Sequence, residues 1–193
     1  MRVFIPVFFN APLGGLQAHV QAQCKALQHS GNEAVVMCKP GPFSLKLEKQ
    51  GVTVLKSDFS NIELSVESAI AAGPFDIVHA HPFKSRKVGL KVAQFLEIPL
   101  IVTFHGNYLD DISSWDQYAD TIICVSPALR DNIVSRNILP TSKILVLTNS
   151  VDTSIYYPRI RDISQDAIDS SFVGFVQVVQ IGQPFALIAI IHV

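Results

Sequence analysis

Seven short apolar runs, separated by turns and segments of helical periodicity, constrain this chain more than any other feature. They are Arg2 to Phe9, Ala34 to Cys38, Val52 to Leu55, Phe75 to His79, Leu100 to Phe104, Thr121 to Val125 and Ile144 to Leu147. Runs that stay apolar on both parities suit strands of a parallel sheet whose two faces are covered by helices. Between them, helices are expected from Leu16 to Gly31, across Leu45 to Gln50, Ile62 to Ala72 and Lys84 to Glu97, briefly at Ser113 to Tyr118, and from Ser126-Pro127 to Asn137. In the first, Leu16, Val20, Cys24 and Leu27 recur at helical spacing opposite a polar Gln/Lys face. Ser126 followed by Pro127 is an N-cap with proline at the first helical position. The pattern predicts an α/β fold, a doubly wound parallel sheet of Rossmann-like type.

After Tyr157-Pro158 the chain turns polar up to Ser171, so the domain is expected to cover residues 1–157 and a linker to follow. The tail from Phe172 to Val193 is long enough for a membrane span, but Gln177, Gln180, Gln183 and Pro184 argue against one. A charged fraction of 16% with a net charge of -1 lacks the basic footprint of a nucleic-acid binder. Cys24, Cys38 and Cys124 are odd in number and embedded in apolar segments, as reduced core thiols of a cytoplasmic protein would be.

Ligands of open α/β sheets collect at the carboxyl ends of the strands. Four such places here are polar: Asn10 with the Gly14-Gly15 turn, His79-Ala80-His81, Thr103-Phe104-His105-Gly106, and Thr148-Asn149-Ser150-Val151-Asp152. Gly14-Gly15 joins a strand to a helix, where glycine permits positive φ and the helix offers unpaired N–H groups to an anion. With the first, fourth and fifth strands adjacent, Gly14, Gly15, His81 and His105 would gather around one crevice. His79 and His81 point to the same face of a strand, and with His105 they could form a three-histidine zinc site of a metal-dependent hydrolase. Lying inside the strand, His79 reads more simply as a hydrogen-bonded core histidine. His19, one turn into the first helix, reads first as a solvated helix-face residue. Lys84, Lys87 and Lys91, with Arg86 beside them, form a basic stripe that is expected to be solvated, with at most weak attraction for anionic lipid.

Together these residues resemble the amino-terminal half of family 4 glycosyltransferases with the two-domain GT-B fold. The likeness runs from about Met1 to Pro158 through Gly14-Gly15-Leu16 with His19-Val20, Gly31-Asn32-Glu33-Ala34-Val35, Asp76-Ile77-Val78-His79-Ala80-His81, Thr103-Phe104-His105-Gly106, Cys124-Val125-Ser126 and Asn149-Ser150-Val151-Asp152. Asn32 and Ser150 depart from it, standing where that family often has histidine and glycine. The resemblance implies sugar transfer from a nucleotide-sugar to an acceptor, with retention and without a required metal or cofactor. His105 would contact the transferred sugar as the catalytic-side residue. Gly14, Gly15 and Ser126 would face the donor phosphates, and Asn10, His19 and His81 the acceptor. Related two-domain epimerases share the architecture. Residues 171–176 resemble the first strand of the family's second domain, but Gln177-Val178-Val179-Gln180 replaces the expected glycine and basic residue. Residues 158–193 are therefore expected to be a linker and an aberrant or truncated start of that domain, leaving the chain inactive alone. A non-catalytic binding module that keeps the crevice is the other reading.

Overall fold

The computed structural model describes residues 1–8, 14–81, 84–106, 119–136 and 141–149, together with the backbone of two strands at 176–179 and 188–191. Seven strands, β1 (Arg2–Val7), β2 (Glu33–Cys38), β3 (Thr53–Lys56), β4 (Ile77–Ala80), β5 (Leu100–Phe104), β6 (Thr121–Cys124) and β7 (Ile144–Val146), form one sheet in the order β3-β2-β1-β4-β5-β6-β7. Every pairing in it is parallel. The expected doubly wound sheet is therefore present, with β1, β4 and β5 side by side at its centre.

Among the described residues five α-helices, α1 (Gly15–His29), α2 (Pro42–Lys49), α3 (Ile62–Ala72), α4 (Lys84–Leu96) and α5 (Pro127–Ser135), lie between the strands. The two-residue periodicity of each strand divides the core between the two faces of the sheet. Val3, Ile5, Val36, Ile77 and Ile101 meet Val20, Cys24 and Leu27 of α1 and Phe43 and Leu47 of α2. On the other face Phe4, Val78, Val102 and Phe104 meet residues of α3, α4 and α5 such as Ala69, Val88, Val92 and Ile133. The three cysteines are buried free thiols, and burial raises the pKa of Cys38 to about 12 and that of Cys124 to about 11.

Local chemistry sets the helix ends. Gly31 takes φ +70 and closes α1 as expected. Pro40-Gly41-Pro42 looks like a simple break in sequence, yet α2 begins within it. Pro42 occupies the first helical turn and the Gly41 N–H donates to Ser44 Oγ at 3.0 Å. Ser126 caps α5, its Oγ accepting from the Leu129 N–H at 3.2 Å. Two further strands, β8 (Val176–Val179) and β9 (Ile188–Ile191), pair antiparallel in a separate sheet. The strand expected over 171–176 meets the described residues only at Val176, and the helical segment expected at 113–118 lies outside them. Among the described residues no helix is long and apolar enough to cross a membrane.

Close contact between α4 and the sheet depends on Gly89. A Cβ there would stand 3.0 Å from Ala80 Cβ, 3.1 Å from Val78 Cγ1 and 3.3 Å from Pro6 Cγ. Gly89→Ala gains up to about 1 kcal/mol of helix propensity. Overpacking against two central strands costs about 1–3 kcal/mol, so the net effect is expected to be destabilising. A lower urea midpoint at unchanged m-value is the expected result; an unchanged or raised midpoint would show that α4 can withdraw without loss.

Candidate functional site

The carboxyl ends of β1, β4 and β5 open on the side where α1 begins. Strand parity then decides which residues face α1. Ile77 and Ile101 belong to the core beneath α1, so His79, His81, Thr103 and His105, at two-residue steps from them, project to the same side. The first turns of α1 lie over them and contribute His19 and Gln23, one helical turn apart.

Two polar layers result. In the deeper one, His79 is fully buried with both ring nitrogens engaged. The Gln23 side-chain amide donates to Nδ1, so Nε2 carries the proton and donates to Thr103 Oγ1 at 2.7 Å. Burial lowers the His79 pKa to about 3, which keeps the ring neutral. His79 is thus the hydrogen-bonded core histidine that its place in the strand predicts.

The outer layer holds His19, His81 and His105. His19 and His81 are buried, and His105 is half-buried at the rim. The His81 Nδ1 and His105 Nε2 atoms are 3.0 Å apart in hydrogen-bond contact. His19 stands edge-on to both rings, its centroid 4.7 Å from that of His105 and 5.4 Å from that of His81. The His81 ring stacks between His79 at 4.8 Å and His105 at 5.2 Å. Burial first, then the neighbouring His79, His105 and Arg86 charges, hold its pKa well below the ordinary histidine value. Ser85 Oγ, donating to the His81 carbonyl at 2.9 Å, ties this strand end to the start of α4.

Several expectations change on this geometry. His19 is not a solvated helix-face residue, because α1 lays its first turns over the ends of β4 and β5. Gln23 is buried there too, so the polar face of this helix is only partly solvated. The histidines that converge are His19, His81 and His105, not His79, His81 and His105, since both nitrogens of His79 are committed to Gln23 and Thr103. Arg86 leaves the basic stripe altogether. It is buried, with its guanidinium 4.2 Å from the Phe104 ring centroid, while Lys91 pairs with Glu63 at 2.8 Å.

The Gly14-Gly15 turn also differs in detail. Gly14 is extended, with φ -167 and ψ 158, and positive φ is used by neither glycine. What their small size leaves is space, since a Cβ on Gly15 would meet nothing within 4 Å. As the N-cap, Gly14 has no side chain to cap the first N–H groups of α1, and His19 follows one turn on, within the histidine cluster. Ser126, one strand beyond β5, spends its hydroxyl on the α5 cap. Asn10 and residues 150–152 lie outside the described residues.

Solved structures of similar shape include a glycosyltransferase from Rickettsia africae ESF-5, with 17% identity and a TM-score of 0.68 over 79% of this chain and 44% of that one. Anabaena Alr3699/HepE, solved in complex with UDP and glucose, has 18% identity and a TM-score of 0.66 over 81% of this chain and 46% of that one. MurG of Acinetobacter baumannii has 20% identity and a TM-score of 0.58 over 78% of this chain and 46% of that one. The chain thus spans less than half the length of these proteins, and at such identities the likeness is one of fold. No curated protein sequence matches it. The sequence profile described as Glycosyltransferase Family 4 matches residues 13–155, which include the glycine turn and every histidine of the crevice, and the chain belongs to that family.

Proposed function

We propose that this chain forms the acceptor-side half of a glycosyltransferase that moves a sugar from a nucleotide-sugar to an acceptor with retention. The observation that carries the reading is the convergence of an uncapped helix start at Gly14-Gly15 with His105 and its two supporting imidazoles in one crevice. An anionic diphosphate is the ligand such a helix start favours, through its N–H groups and the positive end of its dipole. His105, at the rim, then contacts the sugar, while His19 and His81 border the acceptor side and Asn10 belongs there by position in the sequence. Ser126 contributes to the donor side through the N–H groups of the helix it caps. The sugar and its leaving group need a second wall, and the described residues supply only one. By itself the 193-residue chain is therefore expected to show no turnover. Release of nucleotide from labelled nucleotide-sugars tests this, first with the chain alone and then after addition of a donor-binding lobe. Transfer that appears only with the lobe supports the reading, and absence of transfer in both cases favours a non-catalytic binding module.

Gly15 separates stability from function. Its backbone is not left-handed and its Cβ space is open, so Gly15→Ala is expected to stabilise the fold by about 0.4–1 kcal/mol through the unfolded chain. The same methyl enters the space reserved for the diphosphate, and the KM for nucleotide-sugar in the assembled enzyme should rise about tenfold, or ~1.4 kcal/mol. A raised melting temperature with unchanged KM would remove the phosphates from this turn.

A further inference from the structure

The geometry points to a binding site for one late first-row divalent metal ion, of which Zn²⁺ is the probe, formed by His19, His81 and His105. The inference stands on the cluster itself and not on the sugar-transfer reading. One ligand nitrogen from each of the three lies within 4.8 Å of the others, and two ring nitrogens, His81 Nδ1 and His105 Nε2, are already 3.0 Å apart. Tetrahedral coordination with zinc–nitrogen bonds of about 2.0–2.1 Å places ligand nitrogens about 3.3 Å apart, so the cluster needs a contraction on the order of 1.5 Å at its widest separation. Because His81 and His105 are already in contact, rotation of the His19 side chain towards them must supply that movement.

Protonation favours binding as well. His81 is held neutral, and metal coordination requires neutral imidazole. The hydrogen bond between His81 and His105 places one proton between two nitrogens; for both to bind metal, that proton moves to the other nitrogen of its own ring, with no net release. Water would complete the fourth position. An all-imidazole donor set selects zinc, nickel or copper over magnesium and calcium, which need oxygen ligands. The buried Arg86 guanidinium, close enough to depress the His81 pKa, opposes a dication and limits the affinity. His79 takes no part, because Gln23 and Thr103 occupy both its nitrogens.

The test uses the full 193-residue chain freed of metal with chelator. Zn²⁺ is titrated calorimetrically at neutral pH, and Co²⁺ is added to read the intense visible bands of a tetrahedral site. One equivalent of each is expected, with the cobalt bands lost on addition of zinc. His105→Gln, at the half-buried rim, and His19→Gln should each weaken Zn²⁺ binding by more than the roughly 10- to 100-fold typical of removing a group that only orients a ligand. His29→Ala, on the far end of α1, should leave it unchanged. Far-ultraviolet circular dichroism establishes that each variant is folded; should His19→Gln unfold, His105→Gln alone decides. Binding below one equivalent, cobalt without tetrahedral bands, or equal affinity in folded His105→Gln would overturn the site.

Discussion

Acidification from about pH 7 to about pH 5 is expected to cost this domain on the order of 2 kcal/mol of stability through His79, with His81 acting in the same direction. Both rings are buried and neutral in the folded chain, with the His79 pKa lowered to about 3 and that of His81 also well below its ordinary value. In the unfolded chain each returns to a pKa of about 6.5. The unfolded state therefore binds more protons throughout the interval between these values, and stability falls as the pH drops. The contribution is full above about pH 6.5 and is lost progressively towards the folded pKa values. At about pH 5 the folded His79 ring is still almost wholly neutral, and it accounts for about 2 kcal/mol. Against a typical total of about 5–15 kcal/mol this is a large fraction. Urea midpoints at a series of pH values, with proton uptake on unfolding measured in parallel, should give an uptake of about one proton from His79 near pH 5, with His81 adding to it. A midpoint that does not move over this range would mean that the histidines take up protons in the fold as readily as in the unfolded chain.

The same pair shows how much of the site was legible before any coordinates. A two-residue spacing on a strand places His79 and His81 on one face whatever surrounds them, and the strand order expected for this class brings β4 beside β5 and so His81 beside His105. Those inferences needed only backbone geometry and topology. What periodicity could not supply was the tilt and depth of the helices. An amphipathic helix shows its polar residues as one stripe, and the sequence does not say that His19 and Gln23 occupy the part of the stripe turned down onto strand ends. A spacing of four between His19 and Gln23 was the available signal, since it stacks them on one side of α1. Arg86 was lost for a related reason. Beside three lysines it looks like one more surface charge, whereas its planar guanidinium suits a buried place against the Phe104 ring. Gly14 and Gly15 were visible as a turn, but their use is absence of bulk and not unusual dihedrals.

The buried layers have a consequence for the rim. His105 is the most accessible of the three converging imidazoles, and its position depends on groups that cannot move independently. Its Nε2 contacts His81 Nδ1, His81 lies against His79, and His79 is fixed between Gln23 on α1 and Thr103 two residues before His105 on the same strand. The backbone of that strand is anchored by the fully buried Phe104 side chain on the opposite face. An imidazole held from two sides pays little reorganisation when charge develops near it, which is the condition under which a single polar contact matters most in a transition state.

For the proposed sugar contact, His105→Ala is therefore expected to reduce kcat for transfer about 10²- to 10³-fold in the enzyme assembled with its donor-binding lobe, the range seen when one preorganised group that stabilises developing charge is removed. The fold should survive, because His105 is only half-buried and contributes no apolar core. The KM for nucleotide-sugar should change much less than kcat, since the turn at Gly14-Gly15, not His105, is assigned the phosphates. Replacing His81 by glutamine supplies the contrast. It leaves the rim imidazole in place but removes its inner partner, so it should lower kcat by a smaller factor as His105 loses the neighbour that orients it. Steady-state kinetics on the two variants, with melting curves to establish folding, distinguish these roles. Equal kcat in His105→Ala and the parent would move the sugar away from β5, and equal losses in KM and kcat would place His105 in ground-state binding instead of the transfer step.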